Sequence, residues 1–154
     1  MSTKDRILSE SEEQQIVEAI RNAEKNTSGE IRVHIEKLNE KPTIERAQEV
    51  FYWLNMQETE FQNGILIYIA YETRKVAIIG DKGIHSFVGD DFWNAENDLL
   101  IHYFKQEKYA DGIAVVVEHI GAKLKEFFPY NKDDKNELSD EISNGQDEDK
   151  KVLF

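Results

Sequence analysis

Between Ile78 and Asp91 the chain reads IIGDKGIHSFVGDD, an apolar run that breaks into three glycines and three aspartates within a dozen residues. Carboxylates grouped around glycines suit a hard divalent cation, which takes its ligands from carboxylate, amide, backbone carbonyl and water oxygens. They suit a phosphate group poorly. Neither the GxxxxGK[ST] of a phosphate-binding loop nor the GxGxxG of a dinucleotide site is present, and the spacing is not that of an EF-hand. The competing reading is purely structural: the glycines shape a turn, and Asp90 or Asp91 caps a helix. His85 lies inside the stretch beside Ser86, and a single imidazole without a second ligand reads as a loop residue.

Where these side chains can meet is set by the elements that carry them. Ser9-Glu10-Ser11-Glu12 is a capping box, and it starts a helix in which Ile16, Ala19, Ile20 and Ala23 recur at helical spacing. Thr27-Ser28-Gly29 stops that helix. From Glu30 to Glu36, Ile31, Val33 and Ile35 alternate with Arg32, His34 and Glu36, which predicts a half-buried strand with His34 facing solvent among charged neighbours. After Pro42, with Thr43 as N-cap, Ala47, Val50, Phe51 and Leu54 form the apolar stripe of a second helix. Ile65 to Tyr71 is nearly all apolar, as a central strand covered on both faces would be.

A polar turn at Glu72 to Lys75 returns the chain into a third strand that ends at Gly80. The order strand, helix, strand predicts a right-handed crossover with parallel strands, followed by an antiparallel hairpin. A third helix is expected from Asp90 or Asp91, with Phe92, Ala95, Leu99 and Tyr103 on one face. A fourth follows Tyr109-Ala110-Asp111-Gly112 and carries Ile113, Val117, Ile120, Leu124 and Phe128 until Pro129 ends it. The three valines at 115–117 suit a strand equally well, and the length of the stripe favours the helix. His102 and His119 fall in helices with no visible partner. The whole reads as one α/β domain, helices packed on a small mixed sheet.

In that topology Asp81 arrives at the sheet end where the second strand begins, beside Asn63, and Glu30 starts the first strand at the same end. Asp90 and Asp91 follow too closely to lie far away. The expected metal ligands are therefore Asn63, Asp81, Asp90 and Asp91, with Glu30 behind them, and the expected ion is Ca²⁺ or Mg²⁺. Arg74, in the hairpin turn, belongs to the opposite end.

Composition narrows the function classes. Among 154 residues, 19 Lys and Arg face 31 Asp and Glu, a net charge of −12 that repels phosphate backbones and anionic lipid, so nucleic acid is not an expected partner. Cysteine is absent, which removes disulfides, thiolate metal sites and cysteine nucleophiles. No apolar run approaches the ~20 residues of a membrane span, and the first residues carry no export signal, so a cytoplasmic monomer without membrane insertion is expected. From Asn131 the composition shifts to eight acidic and four basic residues with few apolar ones, which sets the folded domain at residues 1–130 and reads 131–154 as a disordered acidic tail.

The order of the pieces resembles the TPM domain family, the thylakoid-lumen phosphatase-like proteins and their bacterial relatives. The likeness is carried by Leu8 to Glu12, TSGEIRV at Thr27 to Val33, NGILIYIA at Asn63 to Ala70, TRKVAIIG at Thr73 to Gly80, the following VGDD, and YADGI at Tyr109 to Ile113. It implies a three-layer α/β/α sandwich, divalent cation binding, and acid-phosphatase-like activity. The family's usual Gly-Tyr-Gly turn followed by Leu-Glu-Gly is replaced here by Gly80-Asp81-Lys82-Gly83-Ile84-His85, so no catalytic residue is carried over. A different class of function, a non-catalytic module that docks a protein partner, suits the same sequence.

Overall fold

The structure is a computed structural model that describes residues 7–129 and 142–144. Ser9 and Glu12 exchange the two hydrogen bonds of the capping box and start α1, Glu10–Glu24. Then follow β1 (Glu30–Glu36), α2 (Thr43–Trp53), a single 3₁₀ turn at Met56–Glu58, β2 (Gly64–Ala70), β3 (Lys75–Gly80), α3 (Lys82–Lys105), α4 (Tyr109–Phe127) and the short β4 (Ser143–Asn144). Pro42, not Thr43, holds the N-cap position of α2, and no side chain caps that helix. Most of the segment from residue 131 onward lies outside the described residues; the three residues described there end in β4.

The strands pair in the order β3-β2-β1-β4. β1 is parallel to β2 and to β4, while β2 and β3 form the antiparallel hairpin, with Ile65 opposite Gly80. Alternation along the two central strands sorts their side chains into two cores. Ile31, Val33 and Ile35 with Ile65, Ile67 and Ile69 meet α1, α3 and α4, whereas Leu66, Tyr68 and Ala70 meet Ala47, Val50 and Phe51 of α2. The result is a three-layer α/β/α sandwich with a mixed sheet in the middle. Every residue of β2 is buried, as its unbroken apolar run requires.

Two further sequence expectations change. The stretch after β3 is not a loop that leads to a helix at Asp90: α3 begins at Lys82, with Asp81 as its N-cap, and Gly89 interrupts it with φ 72° and ψ 176°. Glycine, serine and histidine are weak helix formers, so local propensity hides this first segment. What holds it is tertiary contact, because Gly83 lies so close to the chain before β2 that a Cβ there would stand 2.1 Å from the carbonyl oxygen of Phe61. The second change is that α4 starts at Tyr109 and so includes Gly112.

The two glycines give contrasting predictions. Gly83→Ala overpacks backbone against backbone and should destabilise the fold by about 1–3 kcal/mol in urea unfolding. At Gly89 nothing lies within 4 Å of an added Cβ, yet the backbone occupies a region open essentially to glycine alone. Gly89→Ala should therefore cost about 1–3 kcal/mol through strain alone, with the Trp93 environment, read by fluorescence, shifted as the kink moves.

Candidate functional site

At the end of the sheet where β2 begins, the polypeptide is tied down by backbone bonds. Asp81 N–H donates to the Gly64 carbonyl at 2.9 Å, and the N–H groups of Gly83 and Ile84 both reach the Gln62 carbonyl, at 2.8 and 3.3 Å. Glu30 N–H donates to the Asn63 carbonyl at 3.3 Å, which brings the start of β1 to the same place. These bonds gather Asn63, Asp81 and Glu30 at one end, as the topology predicted. They also engage the carbonyls of residues 62 to 64.

Asn63 and Asp81 each carry one unusual oxygen. Asn63 is 1% exposed; its amide nitrogen donates to Ser28 Oγ at 3.2 Å, while its carbonyl oxygen Oδ1 is buried with no hydrogen-bond partner. Asp81 uses Oδ1 to accept from Lys82 N–H at 2.8 Å, while its Oδ2 is likewise buried without a partner. A buried acceptor left unpaired loses the hydration it would have in the unfolded chain, at about 1–3 kcal/mol, so such atoms in native proteins commonly meet water or an ion.

The other expected ligands lie differently. Asp81 and Asp90, with His85, line a groove of about 640 Å³ between α2 and the start of α3; Asn63 and Asp91 do not line it. Asp90 is 87% exposed at its side chain and stands 3.7 Å from His85 Nε2, and Asp91 is exposed. His85 is no loop residue: it sits in the first segment of α3 and accepts at Nδ1 from Trp93 Nε1 at 3.0 Å. An indole N–H only donates, so this bond leaves the imidazole proton on Nε2, the nitrogen that faces Asp90. Among the described residues no group of three or more His, Asp or Glu side chains is arranged to hold a metal ion. Arg74 occupies the hairpin turn at the far end, exposed, as expected.

A second polar cluster escaped the sequence reading entirely. His34, expected to face solvent, is fully buried between the sheet and α2. Its Nε2 lies 3.0 Å from Glu36 Oε1 and its Nδ1 2.9 Å from Ser143 Oγ, while the Tyr68 ring stacks on it and the Trp53 edge meets it, each 6.0 Å away. Arg46 of α2 clasps Glu36 with Nε at 2.9 Å and a terminal nitrogen at 2.7 Å, and the Tyr68 hydroxyl donates to the same carboxylate. Burial alone pushes the Glu36 carboxyl upward, but the bonds from Arg46, His34 and Tyr68 outweigh it and hold the value down at about 2. Burial and the Glu36 hydrogen bond raise Tyr68, so its hydroxyl stays a donor.

At His34 and Glu36 the polar face of β1 is thus covered and their polar groups are met internally, and Ser143 of β4, 1% exposed, closes its edge. Two helical histidines also have partners that spacing did not reveal. His119 Nδ1 meets Glu96, a carboxyl that burial pushes up, at 3.0 Å across α3 and α4, and His102 bonds Gln106 one turn on.

A four-stranded mixed sheet with α2 on one face and α1, α3 and α4 on the other, closed at one end by a capped and kinked helix, defines a small α/β sandwich class. The chain belongs to the TPM domain family, whose model matches residues 1–123. It is similar to the BA42 protein of the psychrophilic bacterium Bizionia argentinensis, at 47% identity over 94% of this chain and all of that one, with a TM-score of 0.86. Two further solved structures share the fold. The N-terminal domain of a protein from P. gingivalis is 18% identical over 83% of this chain and 85% of that one, with a TM-score of 0.67. The N-terminal domain of cg2496 from Corynebacterium glutamicum is 17% identical over 88% and 79%, with a TM-score of 0.60. No curated protein matches. Among the described residues no helix is long and apolar enough to cross a membrane.

The buried cluster fixes a pH response. With its folded-state value below the ordinary 4.5, Glu36 stabilises the fold fully above about pH 4.5, and that contribution is lost as pH falls through about 2. The loss amounts to about 3 kcal/mol. Urea unfolding between pH 7 and pH 2 should show this decline in the native chain. In Glu36→Gln, stability at pH 7 should drop by a similar amount and this component of the acid dependence should vanish.

Proposed function

We infer that this TPM domain binds a divalent cation, Ca²⁺ or Mg²⁺, at the end of the sheet where β2 begins. The observation that carries this reading is the pair of buried oxygens without hydrogen-bond partners, Asn63 Oδ1 and Asp81 Oδ2, on segments tied together by backbone bonds. One carboxylate and one amide oxygen are few ligands. That number suits a cation that keeps most of its water, the usual habit of Mg²⁺, or Ca²⁺ in the weak class near about 10⁻⁴–10⁻³ M. Asp90, beyond Gly89 on the groove that Asp81 also lines, adds negative charge at the approach, and the net charge of −12 raises the cation concentration near the surface. A bound cation there would supply polarisation of a phosphoryl oxygen and a more acidic bound water, the chemistry behind a weak metal-assisted phosphatase. Asp81 and Asn63 hold it, and the engaged carbonyls of residues 62 to 64 keep both residues in place.

A second reading, a module that docks a protein partner, is favoured by a specific feature. Phe87 and Phe61 are 54% and 46% exposed, and they meet Phe127 and Phe128, with Phe87 stacked on Phe127 at 4.7 Å. Exposed aromatic clusters of this kind are typical of interaction surfaces. The two readings are compatible in one protein.

Calorimetric titration with Ca²⁺ and with Mg²⁺ tests the cation directly. Saturable binding is expected, and Asp81→Asn should weaken it by at least about tenfold, while Asp91→Asn should change it little. Turnover of p-nitrophenyl phosphate on the same samples should require the metal and fall with Asp81→Asn. Absence of saturable binding at millimolar metal would remove the cation reading and leave the docking module.

A further inference from the structure

At the opposite end of the sheet from the candidate cation site lies a second cavity, of about 330 Å³, between the β2–β3 hairpin, the end of α3 and the start of α4. Its volume is at the small end of the range for organic-ligand pockets, about 300–1,000 Å³. It lies beyond the carboxyl end of β2, and in open α/β sheets ligands collect at the carboxyl ends of parallel strands. The inner wall is apolar, with Ile69 fully buried in β2, Val76 of β3 and the edge-to-face ring pair Phe104–Tyr109, whose centroids are 5.0 Å apart.

The rim is cationic in a strongly anionic protein. Arg74 and Lys105 both line the cavity, both are exposed, and among the described residues neither is engaged in an ion pair. Glu107 is the one acidic residue among the lining residues. Among the described residues, Arg74 and Glu107 are also two of the four non-glycine residues with positive φ, at 54° and 59°. Glu107 takes it just past the C-cap of α3, where its N–H and that of Lys108 return to the Phe104 and Tyr103 carbonyls, and Arg74 takes it in the hairpin turn, so turn geometry sets both charged residues at the rim.

We propose that this cavity binds a small organic carboxylate, with an aromatic or short aliphatic body on the Ile69, Val76 and Phe104 wall and its carboxylate between Arg74 and Lys105. The guanidinium gives two parallel N–H donors for the carboxylate, and the ammonium adds a point charge. A phosphate ester of similar size would meet the same cations. The carboxylate is favoured because the cavity has one balancing acid and only two cations, which match a single negative charge. The site shares no residue with the cation site, so either can fail without the other.

The test uses the full-length ¹⁵N-labelled protein and four probes: phenylacetate, octanoate, phenyl phosphate and the neutral phenylacetamide. Saturable amide shifts at residues 69–76 and 101–109 are expected for the two carboxylates, with phenylacetamide at least about tenfold weaker, as the loss of a charge-assisted hydrogen bond implies. Arg74→Gln with Lys105→Gln, both at exposed positions and so compatible with folding, should weaken the carboxylates by a similar factor and leave phenylacetamide unchanged. The proposal is overturned by equal binding of acid and amide, by shifts confined to other residues, or by no saturable shift at about 10 mM of either carboxylate, well beyond the millimolar affinity of a small fragment. Tighter binding of phenyl phosphate than of phenylacetate would overturn the choice of carboxylate.

Discussion

The close approach of α3 to the chain before β2 is the constraint on which the candidate site rests. Gly83 has no Cβ, so its N–H reaches the Gln62 carbonyl and its α-carbon sits against Phe61. That contact starts α3 immediately after β3, and Asp81 becomes an N-cap rather than a free loop residue. Asp81 N–H is held on Gly64, and the preceding Asn63 is pinned by Glu30 N–H from the other side. Any residue with a side chain at position 83 would force these segments apart. The separation would move both oxygens that lack partners, because the backbone segments that carry them are the ones pushed apart.

The rest of the sandwich divides its work between its two faces. The face toward α1, α3 and α4 is apolar throughout, an arrangement that hydrophobic burial alone can specify. The face toward α2 carries the clasp of Arg46, Glu36, His34 and Tyr68, which orients α2 on the sheet through directional bonds. Buried ion pairs of this kind add little net stability over apolar packing, but removal of one partner leaves the other charge stranded. Ser143 completes the cluster from β4, so a short piece of the acidic C-terminal region is part of the folded unit.

The apolar elements were legible from residue types alone. Periodicity placed α1, β1, α2 and the β2–β3 hairpin within a residue or two, since each has a stripe or alternation that matches its packing. Three features were not legible, each for a physical reason. The first segment of α3 has poor helix propensity and exists through a tertiary contact. His34 reads as solvent-facing because alternation with charged residues is the same whether the charged face meets water or an internal counter-charge. β4 has two residues and no pattern at all. Of the site residues, Asn63, Asp81 and Glu30 were gathered by topology. The kink at Gly89, which no periodicity announces, sets Asp90 at the rim of the α2–α3 groove and leaves Asp91 outside it.

Asn63 and Asp81 either hold one cation together or do not, and paramagnetic broadening by Mn²⁺ reads that location directly. Substoichiometric Mn²⁺ added to the ¹⁵N-labelled protein should broaden the amides of Asn63, Gly64, Asp81 and Lys82 first, with the hairpin turn at residues 71–75 sharp. Broadening centred instead on the acidic residues beyond position 130, or spread evenly over the surface, would contradict it.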